Sequence, residues 1–522
     1  MSAVTLTRKE NQELYEELVK KYPGCPELWR YFLALTEVPR PSRHTARVSQ
    51  WAQEVGRKLG GAARADAAGN VAITIPATPG LEGAPGVVLQ AHLDMVPTKT
   101  AESTHDFETD AIECWLDGDV LRARDTTLGG DDGSGVAAAF AVAETCGAHG
   151  PLVLLFTVDE ELGLAGANAL VEGELLPAGA RYLVNVDSEE WGEITLSCAG
   201  GVDRVLRLPV ARAAAGAAGW AAYALELRDF RGGHSGCDIQ LHRASATRWA
   251  VEMLGANAAA VAGTPYRVAA FAGGHAHNAI PSQCTAVFEV RDADADAFVA
   301  AMCAVFHRLC DAYVRDECTA AKQPRMALRR LAAAERPAQA LTYSSSRNVL
   351  CALAGLHQGV WRWSEVCPSL VETSQSIAVA RIAPDAGDCE IEVFARSSNN
   401  AALAALRTYL AAYAALYGGV AVAHTADYPG WPADPHTPLC RTAVALFRRE
   451  FGVEPRITSI HAGLECGIVM NKYPANKLQA ISIGPDVKNP HTVMEHLNLP
   501  TCEKLYKFLV KLVSELATVP PQ

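Results

Sequence analysis

Four short, nearly uninterrupted apolar runs between residues 71 and 188 set the strongest limit on how this chain can fold. They are VAITIPA (71–77), GVVLQAH (86–92), LVLLFTV (152–158) and YLVNVDS (182–188). A strand that is apolar at almost every position has both faces buried, so it belongs to a sheet covered by helices on each side. Helical stretches separate the runs, with Ser134–Cys146 the clearest. Strand–helix alternation of this kind indicates an α/β layer with a largely parallel sheet.

From about Gly201 the texture changes. The strand segments VLRLPV, YALELRD, YRVAAFA, AVFEVRD and EIEVFAR are interleaved with long helices such as 294–315. The Ala-rich pieces 211–222 and 332–340 read as surface loops or insertions. Alternation then resumes with a helix over 401–416, a strand over 419–424, a helix over 438–450, the strands RITSIHA and LQAISIG, and a last amphipathic helix over 502–516. The expected fold class is α/β. A discontinuous domain from 1–200 and 401–522 carries a mixed, largely parallel sheet flanked by helices, and an α+β domain is inserted at 201–400.

Acidic and histidine side chains collect where the apolar runs end, and ligands of open α/β sheets bind at the carboxyl ends of strands. His92-Leu93-Asp94 follows GVVLQA. At i and i+2 on an extended chain both side chains share a face, so either the carboxylate orients the imidazole or both contact a metal. Asp131 and Asp132 sit in a Gly-rich turn before the Ala-rich helix, and for Asp132 helix capping is the favoured reading. Asp159, Glu160 and Glu161 follow LVLLFTV directly, with no Lys or Arg between Arg124 and Arg181 to offset them. Three adjacent carboxylates repel one another unless a cation compensates, though a solvated acidic loop is the plain alternative. Asp187 ends YLVNVD, and His491 follows LQAISIG. The mixed N/O donor set suits zinc, manganese or cobalt. With more than four donors it also suits a two-metal hydrolytic site whose ions a carboxylate bridges.

Composition narrows the class further. The 522 residues are 49% hydrophobic and 20% charged, which excludes a mostly disordered chain. The net charge of −12 without a basic patch argues against nucleic acid and anionic membrane as partners. No uncharged apolar run spans a bilayer; Thr408–Ala423, the nearest, reads as a helix followed by a strand. The charged, helical N-terminus lacks the apolar core of a secretory signal, and fifteen cysteines without C-x-x-C spacing read as reduced thiols, so the expected compartment is the cytosol.

HLDMVP, TTLGGDDGSG, FTVDEELG, NVDSEE, GGHSG, HNAIP, HAGLECG and SIGPD with a late His occur in the order found in the M20 family of metallopeptidases. The chain resembles in particular the family's aminoacyl-histidine, carnosinase-like dipeptidases, from about residue 26 to the last helix. The resemblance implies that His92 and Asp187 hold one divalent ion, Glu161 and His491 the other, and Asp131 bridges them. Zinc is the foremost choice, with manganese or cobalt as alternatives. It further implies Glu160 as the general base acting on a metal-bridging water, Asp94 behind His92, and His234 as the oxyanion donor. Asn278 and Arg396 resemble substrate-binding positions, with His461 and Glu465 near the second metal or the substrate terminus. Read alone, His234 is a capping or core histidine, Arg396 a surface residue, and His461 and Glu465 suit core packing as well as contact.

The sequence departs from the pattern at Asp132, where Asn is usual, at Gly-Gly-His before HNAIP, and at HTVME, which keeps His491 and Glu495 but loses Ser-Pro-Asp. The expected activity is hydrolysis of aminoacyl-histidine dipeptides, including β-alanyl-histidine. A broader dipeptidase, a tripeptidase or an N-acyl amino acid deacylase is the alternative, and a catalytically silent binding protein a more distant one. The inserted domain is expected to close over the dipeptide and to carry a homodimer contact.

Overall fold

The computed structural model describes residues 3–260, 266–313, 323–425 and 427–519, except for the side chains of 256–260. The chain divides into two compact units, one of Met1–Cys198 with Trp431–Gln522, the other of Ala199–Gly430.

The first unit is built on an eight-stranded mixed sheet in the order 62–65, 71–75, 152–157, 86–92, 180–185, 479–482, 193–198, 456–460. Its central strands 152–157, 86–92, 180–185 and 479–482 run parallel. The continuous apolar runs are explained by what lies on each face. Val87, Leu89 and Ala91 point into one core with Leu152, Leu154 and Phe156, while Val88, Val153 and Leu155 point into the other. Each Val, Leu or Phe among them, fully buried, contributes about 1.5–3 kcal/mol of transfer free energy.

The helix 130–145 packs on strand 86–92 and on the helices 26–36 and 499–516. Its alanines make that approach close, and Val136 to Val142 are all fully buried. Local chemistry sets the helix ends: Thr437 Oγ1 accepts from Cys440 N at 3.2 Å to start helix 438–451, and Gly452 ends it at φ +71°. Among the described residues, no helix is long and apolar enough to cross a membrane.

The second unit is an antiparallel sheet in the order 325–330, 220–228, 284–291, 266–273, 371–382, 388–397, 200–209, 420–423, with 359–363 added on 371–382. Its core lies on one face, under helices 246–260, 295–312, 343–355 and 400–416.

Two expectations are corrected here. Helix 400–416 and strand 420–423 belong to the second unit, because the strand pairs with 200–209 and the helix packs on it. The boundary therefore falls at Gly430, not at residue 401. The Ala-rich stretch 211–222 is not a loop throughout: Arg212–Ala214 pairs with Gln339–Leu341, and Ala221 and Ala222 are buried in strand Trp220–Arg228. The expected helix 294–315 is observed over Ala295–Ala312, and positions 314–315 lie outside the described residues.

Candidate active site

The first unit brings His92, Asp94, Asp131, Glu160, Glu161, Asp187 and His491 together at its strand ends. His92, the last residue of strand 86–92, is buried, with Nε2 2.9 Å from Asp131 Oδ1 and 3.6 Å from Asp187 Oδ1. Its other nitrogen, Nδ1, lies 3.1 Å from the Asp94 carbonyl oxygen and 3.4 Å from Asp94 Oδ1. Asp94 in turn accepts from Ser42 Oγ at 2.8 Å and from the Glu160 backbone N–H at 3.0 Å. Burial opposes its charge, but His92, Ser42 and the Glu160 N–H hold its carboxyl below the ordinary value.

Asp131 faces two histidines at once, since its Oδ2 lies 3.1 Å from His491 Nε2. His491 Nε2 is also 3.0 Å from Glu161 Oε2. The expected role of Asp132 as a cap is observed: its Oδ1 accepts from Gly135 N at 3.0 Å, and its Oδ2 accepts from His92 N at 3.3 Å. Gly135 cannot carry a side chain, because a Cβ there would sit 2.5 Å from the Val186 carbonyl oxygen. That close approach seats the start of the helix against the strand that delivers Asp187.

Two residues outside the expected set shape this corner. Glu495, buried, accepts from the backbone N–H groups of Leu128, Gly129, Gly130 and Asp131 at 2.8, 3.0, 2.7 and 3.3 Å. It therefore fixes the Gly-rich turn from 364 positions away in the chain. Arg40, also buried, donates to the carbonyls of Leu93, Asp94 and Gly129 at 2.9, 2.8 and 2.5 Å. The basic group absent from the acidic segments thus arrives from the N-terminal region. The preserved Glu at the end of HTVME was the signal for Glu495; nothing local marked Arg40.

The donor set is tested by what it leaves unsatisfied. Glu161 Oε1 is buried without a hydrogen-bond partner, a state that costs free energy unless something binds there. Burial and the neighbouring Asp132 push the Asp187 carboxyl well above its ordinary value, and burial with Glu465 and Glu161 pushes Glu160 up to about 8. Donor atoms of His92, Asp131 and Asp187 lie within 4.8 Å of one another, as do those of Asp131, Glu161 and His491. Two histidines and three carboxylates sharing Asp131 fit a pair of divalent cations.

Glu465 is not at the surface of this site. It is 0% exposed, and its Oε2 accepts from Gln90 Nε2 at 2.5 Å and Thr157 Oγ1 at 2.7 Å, inside the sheet. That position matches the core-packing side of the expectation, with the carboxylate bracing the strands behind the site, while its Oε1 is buried without a hydrogen-bond partner. His461, beyond strand 456–460, is 6% exposed.

The second unit carries the remaining residues. His234 Nδ1 accepts from the backbone N–H groups of Gly236 and Cys237 at 3.2 and 2.9 Å, so its proton resides on Nε2. Burial and then Arg396 push its pKa down to about 4, which keeps the ring neutral and able to donate through Nε2. The Asn278 carbonyl accepts from Ser235 N at 2.8 Å, and the Asn278 side chain is exposed.

Arg396 is buried, not on the surface as its position alone implies, because strand 388–397 carries it beneath Tyr428. Its guanidinium lies 4.0 Å from the Phe394 ring centroid and donates to Tyr428 Oη at 3.1 Å, and its Nε has no partner. A buried cation whose described partners are a phenol and an aromatic face is set up to receive an anion.

A sequence profile of peptidase family M20/M25/M40 matches residues 88–515. The chain is 35% identical over 497 residues, 94% of its length and 97% of its relative's, to the cytosol non-specific dipeptidase of Escherichia coli (strain K12). It superposes at a TM-score of 0.87 on the crystal structure of aminoacylhistidine dipeptidase from Vibrio alginolyticus, with 31% identity and coverage of 98% of this chain and 100% of that one. A tripeptidase of Staphylococcus aureus shares the fold at a TM-score of 0.51, with 15% identity and coverage of 94% and 98%. The profile and the E. coli relative each span most of the length, and the residues they cover include the histidine–carboxylate cluster: this chain belongs to peptidase family M20/M25/M40 and is a metal-dependent peptidase.

Proposed function

We propose that the chain is a two-metal dipeptidase that removes an unblocked aminoacyl group from histidine, with β-alanyl-histidine among its substrates. The observation that carries this reading is Asp131, whose two oxygens face His92 and His491 at 2.9 and 3.1 Å. His92 and Asp187 would hold one ion and Glu161 and His491 the other, with Asp131 shared. Zinc is the first choice, and manganese or cobalt would also be accepted by these donors. Divalent cations bound there supply positive charge that polarises the scissile carbonyl and lowers the pKa of water.

The chain's own residues do the rest. Glu160 takes the proton of the attacking water and returns it to the leaving amine, a task for which a carboxylate free of metal is needed. Asp94 fixes the ring of His92 through Nδ1. His234, neutral and carrying its proton on Nε2, donates to the oxyanion of the tetrahedral intermediate. Arg396 receives the C-terminal carboxylate of the dipeptide, and Asn278 beside Ser235 binds its backbone. Glu465 and His461 act by holding the strand ends in position.

The name of the E. coli relative favours a second reading, a dipeptidase without preference for histidine. A panel of alanyl-histidine, β-alanyl-histidine, leucyl-glycine and acetyl-ornithine separates the two: preference for either histidine dipeptide supports the narrower reading, and preference for leucyl-glycine replaces it. A cytosolic location is part of the proposal, supported by the free thiols of the described cysteines. So is a homodimer through the second unit, supported by the exposed apolar side chains of Leu416 and Val420. Light scattering of the purified chain tests the dimer.

A further inference from the structure

The antiparallel sheet of the second unit has a core face and an opposite face, and the opposite face holds a polar cluster that the reaction above does not use. Strand 200–209 sends Val202, Leu206 and Leu208 into the core, and strand 388–397 sends Cys389, Ile391, Val393 and Ala395 there. Alternation puts Asp203 on the opposite face, in register with Phe394, with Glu392 two pairs further along on the same face, opposite Val205. Strand 420–423 flanks Asp203 on its other side, and the His424 backbone N–H donates to the Asp203 carbonyl at 3.1 Å. Three strand segments thus bring Asp203, Glu392 and His424 to one spot.

The donor atoms converge. One donor atom from each of Asp203, Glu392 and His424 lies within 4.8 Å of the other two, and His424 Nε2 is 3.9 Å from Glu392 Oε1. Asp203 is 1% exposed, so its charge has almost no water to solvate it. Its Oδ2 receives His277 Nδ1 at 3.2 Å and Thr425 Oγ1 at 3.3 Å, which fixes the carboxylate plane. Its Oδ1 is buried and has no hydrogen-bond partner, and neither has Glu392 Oε1. Two buried carboxylate oxygens left open beside an imidazole form an unfinished coordination shell, because native structures seldom leave such atoms unsatisfied.

We propose that Asp203, Glu392 and His424 form a further divalent-cation site, of the zinc class, within the second unit and separate from the cluster around Asp131. One imidazole nitrogen and two carboxylate oxygens suit zinc, which binds such donors at about 2.0–2.2 Å and fills its fourth position with water. Small side-chain rotations would close the donors onto an ion, and the His424 side chain is roughly half exposed. His277 acts as the orienting partner of Asp203, as the hydrogen-bonded outer groups of metal sites do. The titration tendencies agree with the geometry: burial raises the Asp203 carboxyl, and burial with Asp203 raises that of Glu392.

The site also borders residues assigned to substrate. Phe394 stacks on His277 with ring centroids 5.5 Å apart and carries Arg396 on its ring. A bound cation would therefore anchor the loop that bears Asn278 and the strand that bears Arg396.

The test uses the full chain, stripped of metal and dialysed to equilibrium against micromolar Zn2+, with zinc and protein measured in the same sample. Wild type should retain one zinc equivalent more than His424→Ala, and one more than Asp203→Asn, which preserves the buried shape. The same difference of one equivalent should persist when both chains also carry Asp131→Ala, which separates this site from the first unit's cluster. Circular dichroism of the variants checks that they are folded, and His424, being partly exposed, can be truncated without opening the core. Equal zinc content in wild type and a folded His424→Ala chain overturns the proposal.

Discussion

The backbone N–H of Glu160 donates to Asp94 Oδ1 at 3.0 Å, so the carboxylate that faces His92 also holds the proposed base in place. Orientation of the proposed metal donor His92 and of the proposed base therefore depends on one side chain. Asp94→Ala should weaken metal binding by ~10–100-fold, the usual effect of removing a carboxylate behind a metal-bound histidine. Competition with a chromophoric chelator measures that loss, and unchanged affinity would remove Asp94 from this role.

Glu160→Gln separates chemistry from metal binding. Its amide keeps the shape but cannot take a proton, so turnover should fall by at least ~10²-fold while metal content stays at the wild-type level. Steady-state kinetics paired with elemental analysis decides it. Wild-type turnover in the variant is incompatible with Glu160 as the base.

Glu495 is expected to matter for stability although it touches no substrate. Removing its carboxylate strands four buried N–H groups of the turn at Leu128–Asp131. With charge-assisted hydrogen bonds worth ~1.5–3 kcal/mol each and partial rehydration of the turn, Glu495→Ala should destabilise the protein by about 3 kcal/mol. Urea denaturation reads this as a lower midpoint at unchanged slope.

Much of this site was legible in the sequence for a simple reason. Buried parallel strands announce themselves as apolar runs, and polar residues at their ends have few roles other than a ligand crevice, so His92, Asp131, Glu161 and Asp187 stood out locally. His491 emerged because it closes the set at the end of another such strand. What stayed hidden was long-range. Arg40 reaches the turn by its side chain alone, and strand 420–423 reveals its partner only through register with 200–209. Arg396 looked exposed because burial by Tyr428 and Phe394 leaves no trace in its own neighbourhood.

Arg396 should control binding more than chemistry. Arg396→Ala removes a buried guanidinium proposed to meet the substrate carboxylate, a loss of about 2 kcal/mol or roughly 30-fold in KM. The kcat should change much less, and a C-terminally amidated dipeptide should lose discrimination against it in the variant. An equal loss in kcat with KM unmoved would assign Arg396 to a different role.

His234 gives a pH signature with a definite sign. Its pKa falls from the ordinary 6.5 to about 4 in the folded chain, so folding favours the neutral ring. The stability this contributes is complete above pH 6.5 and is lost as the pH drops toward 4. His234→Gln, which does not titrate, should lose less stability than wild type across that interval, as read by urea midpoints. Identical profiles would mean that His234 is not held neutral.

The central claim is that the cluster around Asp131 makes this chain a metal-dependent dipeptidase. The most direct measurement is histidine release from alanyl-histidine and β-alanyl-histidine by the metal-stripped chain, before and after divalent zinc, manganese or cobalt is restored. The account predicts negligible release without metal and full recovery with it, abolished again in Asp131→Ala. Full turnover by the stripped protein, or no turnover of any dipeptide after reloading, would contradict it.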